Sequence, residues 1–317
     1  MDFKACTVSL TSINQADNTY CISTKDDVAD LVLSIGKAGL IAPPVLKETS
    51  GKFNIICGFR RIRACRELGW SKIDCRLLSA DGTHFECTRL AIADNSMQRA
   101  LNLLETSRAL NLLADCFSDD DQLVKAAKTL NLPDNMAAIT KIKEICRLPR
   151  KIQENVFLEN ISLVVALMLG KMENNAGMAL ADLFAKLKAS LNKQREIVTL
   201  ITEISLREEI SVQELVNTHV VQDIVTHPDM DRNQKTASIR FYLKQRRYPA
   251  ICSVEKEFQK NLKLLKLGSG INLIPPAHFE GRHYTLTLSF RSLPEFVKHS
   301  ETLDRIADNP ALEKMLQ

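Results

Sequence analysis

Residues Gly58-Phe59-Arg60-Arg61-Ile62-Arg63-Ala64-Cys65-Arg66-Glu67-Leu68-Gly69 constrain this chain more than any other segment. They follow the apolar run Phe53 to Cys57, which reads as a buried strand. Glycine permits a tight strand-to-helix turn, and the first turn of the following helix presents free N–H groups at the positive end of its dipole. Arginines at 60, 61, 63 and 66 add guanidinium groups beside them. Backbone donation and bidentate arginine contact together suit phosphate. A solvated basic helix after a strand would carry the same residues, and spacing alone does not separate the two readings.

The surrounding chain narrows the class. Its 317 residues are enough for two or three domains, and 45% hydrophobic with 25% charged residues is ordinary for a soluble protein. No apolar run reaches membrane-spanning length, and no basic region followed by an apolar signal opens the sequence. Nine cysteines without a C-x-x-C pair point to reduced thiols in a cytoplasm, against a disulfide frame or a zinc site. The net charge of +4 is mild, so its distribution matters more than its total.

Hydrophobic periodicity gives an α+β chain in three parts. The first hundred residues alternate short strands and helices, beginning with a strand over Phe3 to Leu10. From Leu101 to about Leu267 the pattern is helical. The tail alternates again at Ile271 to Ile274 and Tyr284 to Phe290, and an amphipathic helix is expected over Pro294 to Ile306. Two strands and a helix are too small for a core of their own. They need a second copy or the chain's own helical part.

Three segments carry a resemblance. Ser34-Ile35-Gly36-Lys37-Ala38-Gly39-Leu40-Ile41-Ala42-Pro43 has the form S-I-x-x-x-G-L-x-x-P. Gly58 to Ala64 follows G-E-R-R-x-R-A except at Phe59. Asp94-Asn95 with Arg99, then Leu101-Asn102 with Glu105, parallels E-N-x-x-R followed by L-N-x-x-E. In this order and at these separations the boxes resemble the N-terminal domain of the ParB/sulfiredoxin superfamily, with ParB-type partition proteins nearest. The resemblance implies a CTP site, or a site for another nucleotide, with Gly39, Pro43, Gly58, Phe59, Arg60, Arg61, Arg63, Asn95 and Arg99 as candidate contacts. Asp94 and Asn95 would help hold Mg2+, a hard cation that prefers oxygen. The sulfiredoxin branch needs a cysteine nucleophile inside the phosphate motif, whereas Cys57 precedes Gly58 in an apolar run and reads as a core residue.

The departures bear on chemistry. Phe59 removes the acidic residue of the second box, Asp94 is shorter than the expected Glu, and Arg99 sits one place late, with Gln98 in the family's arginine position. Hydrolysis needs groups that position water and metal, so CTP turnover is expected to be slow or absent. The Q-P-R element before the first box is replaced by Asp17-Asn18-Thr19-Tyr20.

The resemblance continues through a helix-turn-helix at about 121–148, whose second helix, from Asn135 or Met136 to Arg147, would enter the major groove. Asn135 could read adenine, with Lys141, Lys143 and Arg147 on phosphates; a purely structural helical hairpin fits the same residues. A second basic stretch contains Arg240, Lys244, Arg246 and Arg247, with Tyr242 and Tyr248 interleaved, and could track a phosphate backbone or form a solvated face. The expected domains are nucleotide-binding (1–100), helical and DNA-binding (101–267) and a strand-strand-helix dimerisation end (268–317). The expected partners are double-stranded DNA, a second copy of the chain and, as is usual in the family, a ParA-type ATPase. No basic arm precedes the first strand, so a plasmid, phage or mobile-element regulator is equally admissible. A metal-dependent nuclease or phosphotransferase on the same fold is the alternative, with Asp17, Glu86 and Asp94 as its carboxylates. A third reading is a binding module with a vestigial pocket.

Overall fold

The structure is a computed structural model that describes residues 2–97, 99–173 and 175–316. The chain divides into two compact units, Met1–Leu191 and Asn192–Gln317.

The first unit opens with β1 (Phe3–Ser9), α1 (Ala29–Ala38), β2 (Val45–Thr49), β3 (Lys52–Cys57), α2 (Phe59–Glu67), β4 (Lys72–Leu78) and α3 (His84–Ser96). Among the described residues its strands form one sheet in the order β1-β4-β2-β3. β4 runs antiparallel to β1, with Cys6 opposite Cys75, and parallel to β2, with Val45 opposite Arg76. β2 and β3 pair antiparallel. Side chains alternate across a strand, so each face of the sheet draws on a separate set of apolar residues. Leu46, Ile55, Ile73 and Cys75 pack under Ile35 of α1 and Ile62 and Cys65 of α2. Val45, Ile56, Cys57 and Leu78 pack on the other side, with Cys87 of α3.

The same unit continues as α4 (Leu103–Ala114), α5 (Asp120–Thr129), α6 (Met136–Lys143), α7 (Arg150–Phe157), α8 (Leu163–Gly170) and α9 (Ala176–Leu187). Ala91 and Ile92 of α3, Ile22 from the segment between β1 and α1, and Leu110 and Leu113 of α4 share a core with Leu123, Ile139 and Ile142 of α5 and α6. That shared core ties the sheet to the helices. Asn131, at φ 54°, turns the chain between α5 and α6. Asn135 caps α6, which ends at Lys143; residues Glu144–Arg147, expected to continue it, tighten into a 3-10 turn.

The second unit holds α10 (Leu191–Glu208), α11 (Val212–Val216), α12 (His219–Thr226), α13 (Arg232–Arg247), α14 (Pro249–Leu265), β5 (Ile271–Ile274), β6 (Thr285–Leu288), α15 (Leu293–Ala307) and α16 (Pro310–Leu316). β5 and β6 form an antiparallel pair. The tail completes its core within its own chain: Leu273, Ile306, Ala311 and Met315 close over Phe258 and Leu265 of α14. The α+β reading holds, with strands at both ends and helices between. The last helix, α16, was not expected from the pattern.

Candidate functional site

Gly58 adopts φ 92° at the N-cap of α2, a conformation that favours glycine. A Cβ there would lie 2.9 Å from Pro44 Cβ and 3.1 Å from its Cα, so the turn is closed to larger residues. The first helical bond is Ile62 N–H to Gly58 C=O, which leaves the N–H groups of residues 59–61 outside the helical ladder. Residues 58–61 line a cleft of about 340 Å³. Its lining includes Gly58, Phe59, Arg60, Arg61, Asp94, Asn95 and Arg99, seven of the candidates named from sequence. Its other wall is the segment 20–25, with Tyr20, Cys21, Ile22, Ser23 and Lys25. Among the described lining residues Lys25, Arg60, Arg61 and Arg99 are cationic and only Asp94 is anionic.

The four arginines of α2 divide by role. Arg60 donates from Nη2 to Asp27 C=O at 2.7 Å, while its Nε is buried and meets no acceptor among the described residues. Arg61 gives Nη2 to both oxygens of Asp94, at 3.0 and 2.9 Å, and Nη1 to Ala42 C=O at 2.9 Å. Arg63 turns away to Asp26, bonding its carbonyl at 2.9 Å. It lines a second cleft with Arg108 and Arg150 and not the first. Arg66 donates to Leu10 C=O at 2.8 Å and ties α2 to the end of β1. Gly39 and Pro43 do not reach the lining; Gly39 ends α1 at φ 72° with its N–H on Ile35 C=O. Gln98 lies outside the described residues.

Arg99 is committed elsewhere. Its Nη1 and Nη2 donate to Glu105 at 2.7 and 2.6 Å, and the Glu105 side chain is fully buried. Glu105 also accepts from Thr24 N–H (2.9 Å), Thr24 Oγ1 (3.0 Å) and Asn102 N–H (3.1 Å). Burial by itself would raise the Glu105 pKa. The hydrogen bonds from Arg99, Thr24 and Asn102 outweigh it and bring the carboxyl down to about 2. Arg108 holds the same segment through Ser23 C=O at 2.8 Å. Sequence reasoning missed the wall formed by residues 20–25, and Glu105 as its anchor. The visible signal was the capping box Asn102–Glu105 at the start of α4.

Cys57 is buried at the floor of the cleft, and burial, followed by the charge of Asp94, pushes its thiol up to about 12. This favours the core reading over a thiolate nucleophile. The carboxylates named for an enzyme do not converge. Asp17 bonds Thr19 N–H at 2.9 Å, Glu86 caps α3 through Thr83, and no group of three metal-ligating side chains occurs among the described residues. Asp94 and Asn95 do place oxygen donors beside the arginines. Mg2+ bound to a nucleotide needs only one or two protein carboxylates besides phosphate oxygens and water, so this donor set fits it provided Asp94 is released from Arg61.

On α6, the Asn135 side-chain oxygen accepts from Ala138 N–H, so reading adenine bidentately would take it from its capping role. Lys141 is exposed, Lys143 half-buried, and Arg147 pairs with Glu144 at 2.9 Å. The second basic stretch is engaged within its own unit. Arg240 and Lys244 pair with Glu196 (2.7 and 3.2 Å), Arg247 with Glu203 (2.8 Å), and Arg246 with Glu208, all on α10. Arg246 and Arg207 hold the Glu208 carboxyl below its usual range. These cations tie α13 to α10, and Glu196, Glu203 and Glu208 offset part of their charge.

A mixed sheet with an anion-suited helix start, a glycine turn and an Asp-Asn pair opposite defines a ParB-type N-terminal domain, and residues 6–95 match the ParB N-terminal domain family. Over this region the chain is similar to ParB-family proteins. Its relatives include the nucleoid occlusion protein of Geobacillus sp. (strain WCH70), 28% identical over 142 residues, which are 44% of this chain and 48% of that protein. The chain thus spans about half the length of the curated relatives it matches. Among solved structures, it is similar to C-terminally truncated ParB from Caulobacter crescentus complexed with CTP-γ-S (18% identity, 57% of this chain and 99% of that one, TM-score 0.27). It is also similar to the same protein complexed to the centromeric parS site (14% identity, 60% and 96%, TM-score 0.34). No helix among the described residues is long and apolar enough to cross a membrane.

Proposed function

We propose that this chain is a nucleotide-switched DNA-binding protein acting in chromosome or plasmid partition or a related nucleoid process. CTP with Mg2+ occupies the cleft at the start of α2, and residues 1–100 form the switch domain. The observation that carries this reading is the cleft's charge and donor pattern. Three helix N–H groups outside the helical ladder, the unpartnered Arg60 Nε and the cations Lys25, Arg60 and Arg61 lie at a cleft with one carboxylate, Asp94, in its lining, an arrangement suited to a polyphosphate. Asp94 and Asn95 would hold the Mg2+, which when bound neutralises phosphate charge. Phe59 stands where the family has a carboxylate, so turnover of CTP is slow or absent.

DNA is held by the helical region through α5 and α6, with Lys141, Lys143 and Arg147 on phosphates and Asn135 at the groove end. A homodimer forms through residues 268–317. Leu286, Phe290, Leu293, Phe296 and Val297 remain exposed there after the tail has packed on α14, which supports a further apolar contact. A ParA-type ATPase is a partner by family likeness alone.

Calorimetric titration with CTP, ATP and ADP in Mg2+ tests the core of the proposal, with Arg60→Ala as control. Micromolar CTP binding that is lost in the variant supports it. Binding of an adenine nucleotide alone moves a phosphotransferase reading ahead, and no binding at all leaves a DNA-binding scaffold.

A further inference from the structure

Two ion pairs border the cleft, and they differ in kind. Glu105 is fully buried and accepts five hydrogen bonds from Arg99, Thr24 and Asn102, so it is a fixed part of the wall. Asp94 lies in the lining itself, its side chain 29% exposed, and both its oxygens go to one nitrogen of Arg61. The guanidinium suited to a phosphate is therefore already matched by a carboxylate. The carboxylate suited to a cation is already matched by a guanidinium.

Neither can give the atoms of this contact to an external ligand and keep the other. A phosphate arriving without a cation must displace Asp94 from Arg61 and then sit beside the displaced negative charge. A divalent cation arriving alone must pull Asp94 away and leave Arg61 without its counter-charge in a partly desolvated site. When both arrive together, one internal pair is exchanged for two external ones: Arg61 with phosphate oxygens and Asp94 with the cation. Arg61 keeps its Nη1 bond to Ala42 C=O as a pivot, so only the Nη2 edge changes partner.

We propose that the Arg61–Asp94 pair is an exchange latch that makes the cleft select cation-complexed triphosphate over free nucleotide. This rests on the nucleotide-binding reading above and deepens it. Asp94 is a selectivity residue as well as a metal ligand: it acts as an internal anion standing in for phosphate.

The test is titration of the full chain with CTP, and with inorganic triphosphate as a base-free probe, each in Mg2+ and in EDTA. Wild-type binding is expected to weaken at least about tenfold in EDTA, a difference of about 1.4 kcal/mol. Asp94→Asn keeps the side chain's shape and removes its charge. It is expected to bind both probes in EDTA at least about tenfold more tightly than wild type, with Mg2+ changing its affinity by no more than about twofold. An Asp94→Asn variant with unchanged EDTA affinity, or one weakened equally in both conditions, overturns the latch. If CTP still binds wild type in Mg2+, that result leaves the nucleotide reading intact. No binding of either probe by either protein sinks both. Arg61→Gln gives an independent readout by freeing Asp94. Mn2+ alone, followed by electron paramagnetic resonance, should bind this variant at least about tenfold more tightly than wild type, and equal Mn2+ affinity would again overturn the latch.

Discussion

Replacing Glu105 should cost the first unit more stability than any other single carboxylate change, and the size follows from its surroundings. Oε1 accepts from Thr24 N–H, Thr24 Oγ1 and Arg99 Nη2, while Oε2 accepts from Asn102 N–H and Arg99 Nη1. Glu105→Gln keeps the first set and turns an NH2 group toward the second, leaving two donors facing a donor. A carboxyl brought from 4.5 down to about 2 carries a linkage of about 3 kcal/mol, which is the expected cost of replacing it with a neutral isostere at pH 7. Glu105→Ala also orphans the half-buried Thr24 amide, for about 4 kcal/mol in all. The pKa is depressed on folding, so this stability is fully present above about pH 4.5 and is lost as pH falls toward 2. Roughly 2 kcal/mol of it is gone by pH 3. The chain's single tryptophan, Trp70, lies in the first unit and reports its unfolding in urea by fluorescence. Wild type and Glu105→Gln should differ by about 3 kcal/mol at pH 7 and by about 1 kcal/mol at pH 3. A gap below about 1 kcal/mol at pH 7, or one indifferent to pH, would refute the reasoning.

Gly58→Ala meets Pro44 and a left-handed φ together, and is expected to destabilise the first unit by about 2 kcal/mol by Trp70 fluorescence and to abolish CTP binding; near-wild-type behaviour would mean the turn is not closed. Arg246→Ala is expected to lower the melting temperature through loss of the half-buried Glu208 pair, worth about 1 kcal/mol, while the salt dependence of DNA binding stays unchanged. A reduced salt slope would show that the residue touches DNA. Cys6 and Cys75 face each other across β1 and β4 with sulfurs 3.3 Å apart, at a strand spacing that admits a disulfide. Diamide, which takes up the two thiol hydrogens, should yield a Cys6–Cys75 crosslink by peptide mapping, absent in Cys6→Ser.

The strand, glycine turn and basic helix at 53–67 were legible because each signal is local: an apolar run, a residue free to take φ 92°, then helical spacing. The roles of the individual arginines were not, because their partners are distant in sequence. Arg60 meets Asp27 C=O 33 residues away, and Arg63 meets Asp26 C=O 37 residues away. The same limit hides the partners of α13. Its cations look like a phosphate track until α10 places Glu196 and Glu203 beside them, each 44 residues from Arg240 or Arg247. Likewise Asn102–Glu105 reads as a cap in sequence, and only packing against Arg99 and Thr24 turns the cap into a buried anchor.

The wall formed by residues 20–28 is anchored by the buried side chains of Ile22 and Val28 and is gripped along its backbone from outside. Arg108 holds Ile22 and Ser23 carbonyls, Glu105 holds the Thr24 amide, Arg63 the Asp26 carbonyl and Arg60 the Asp27 carbonyl. Its position is therefore set by residues outside it, while its own side chains at 21, 23 and 25 face the cleft with little duty to the fold. Such a segment can drift in sequence at small risk to folding. Lineages of this protein could retune what the cleft accepts by changing those side chains, while the arginines and the glutamate that fix its course stay under strict constraint.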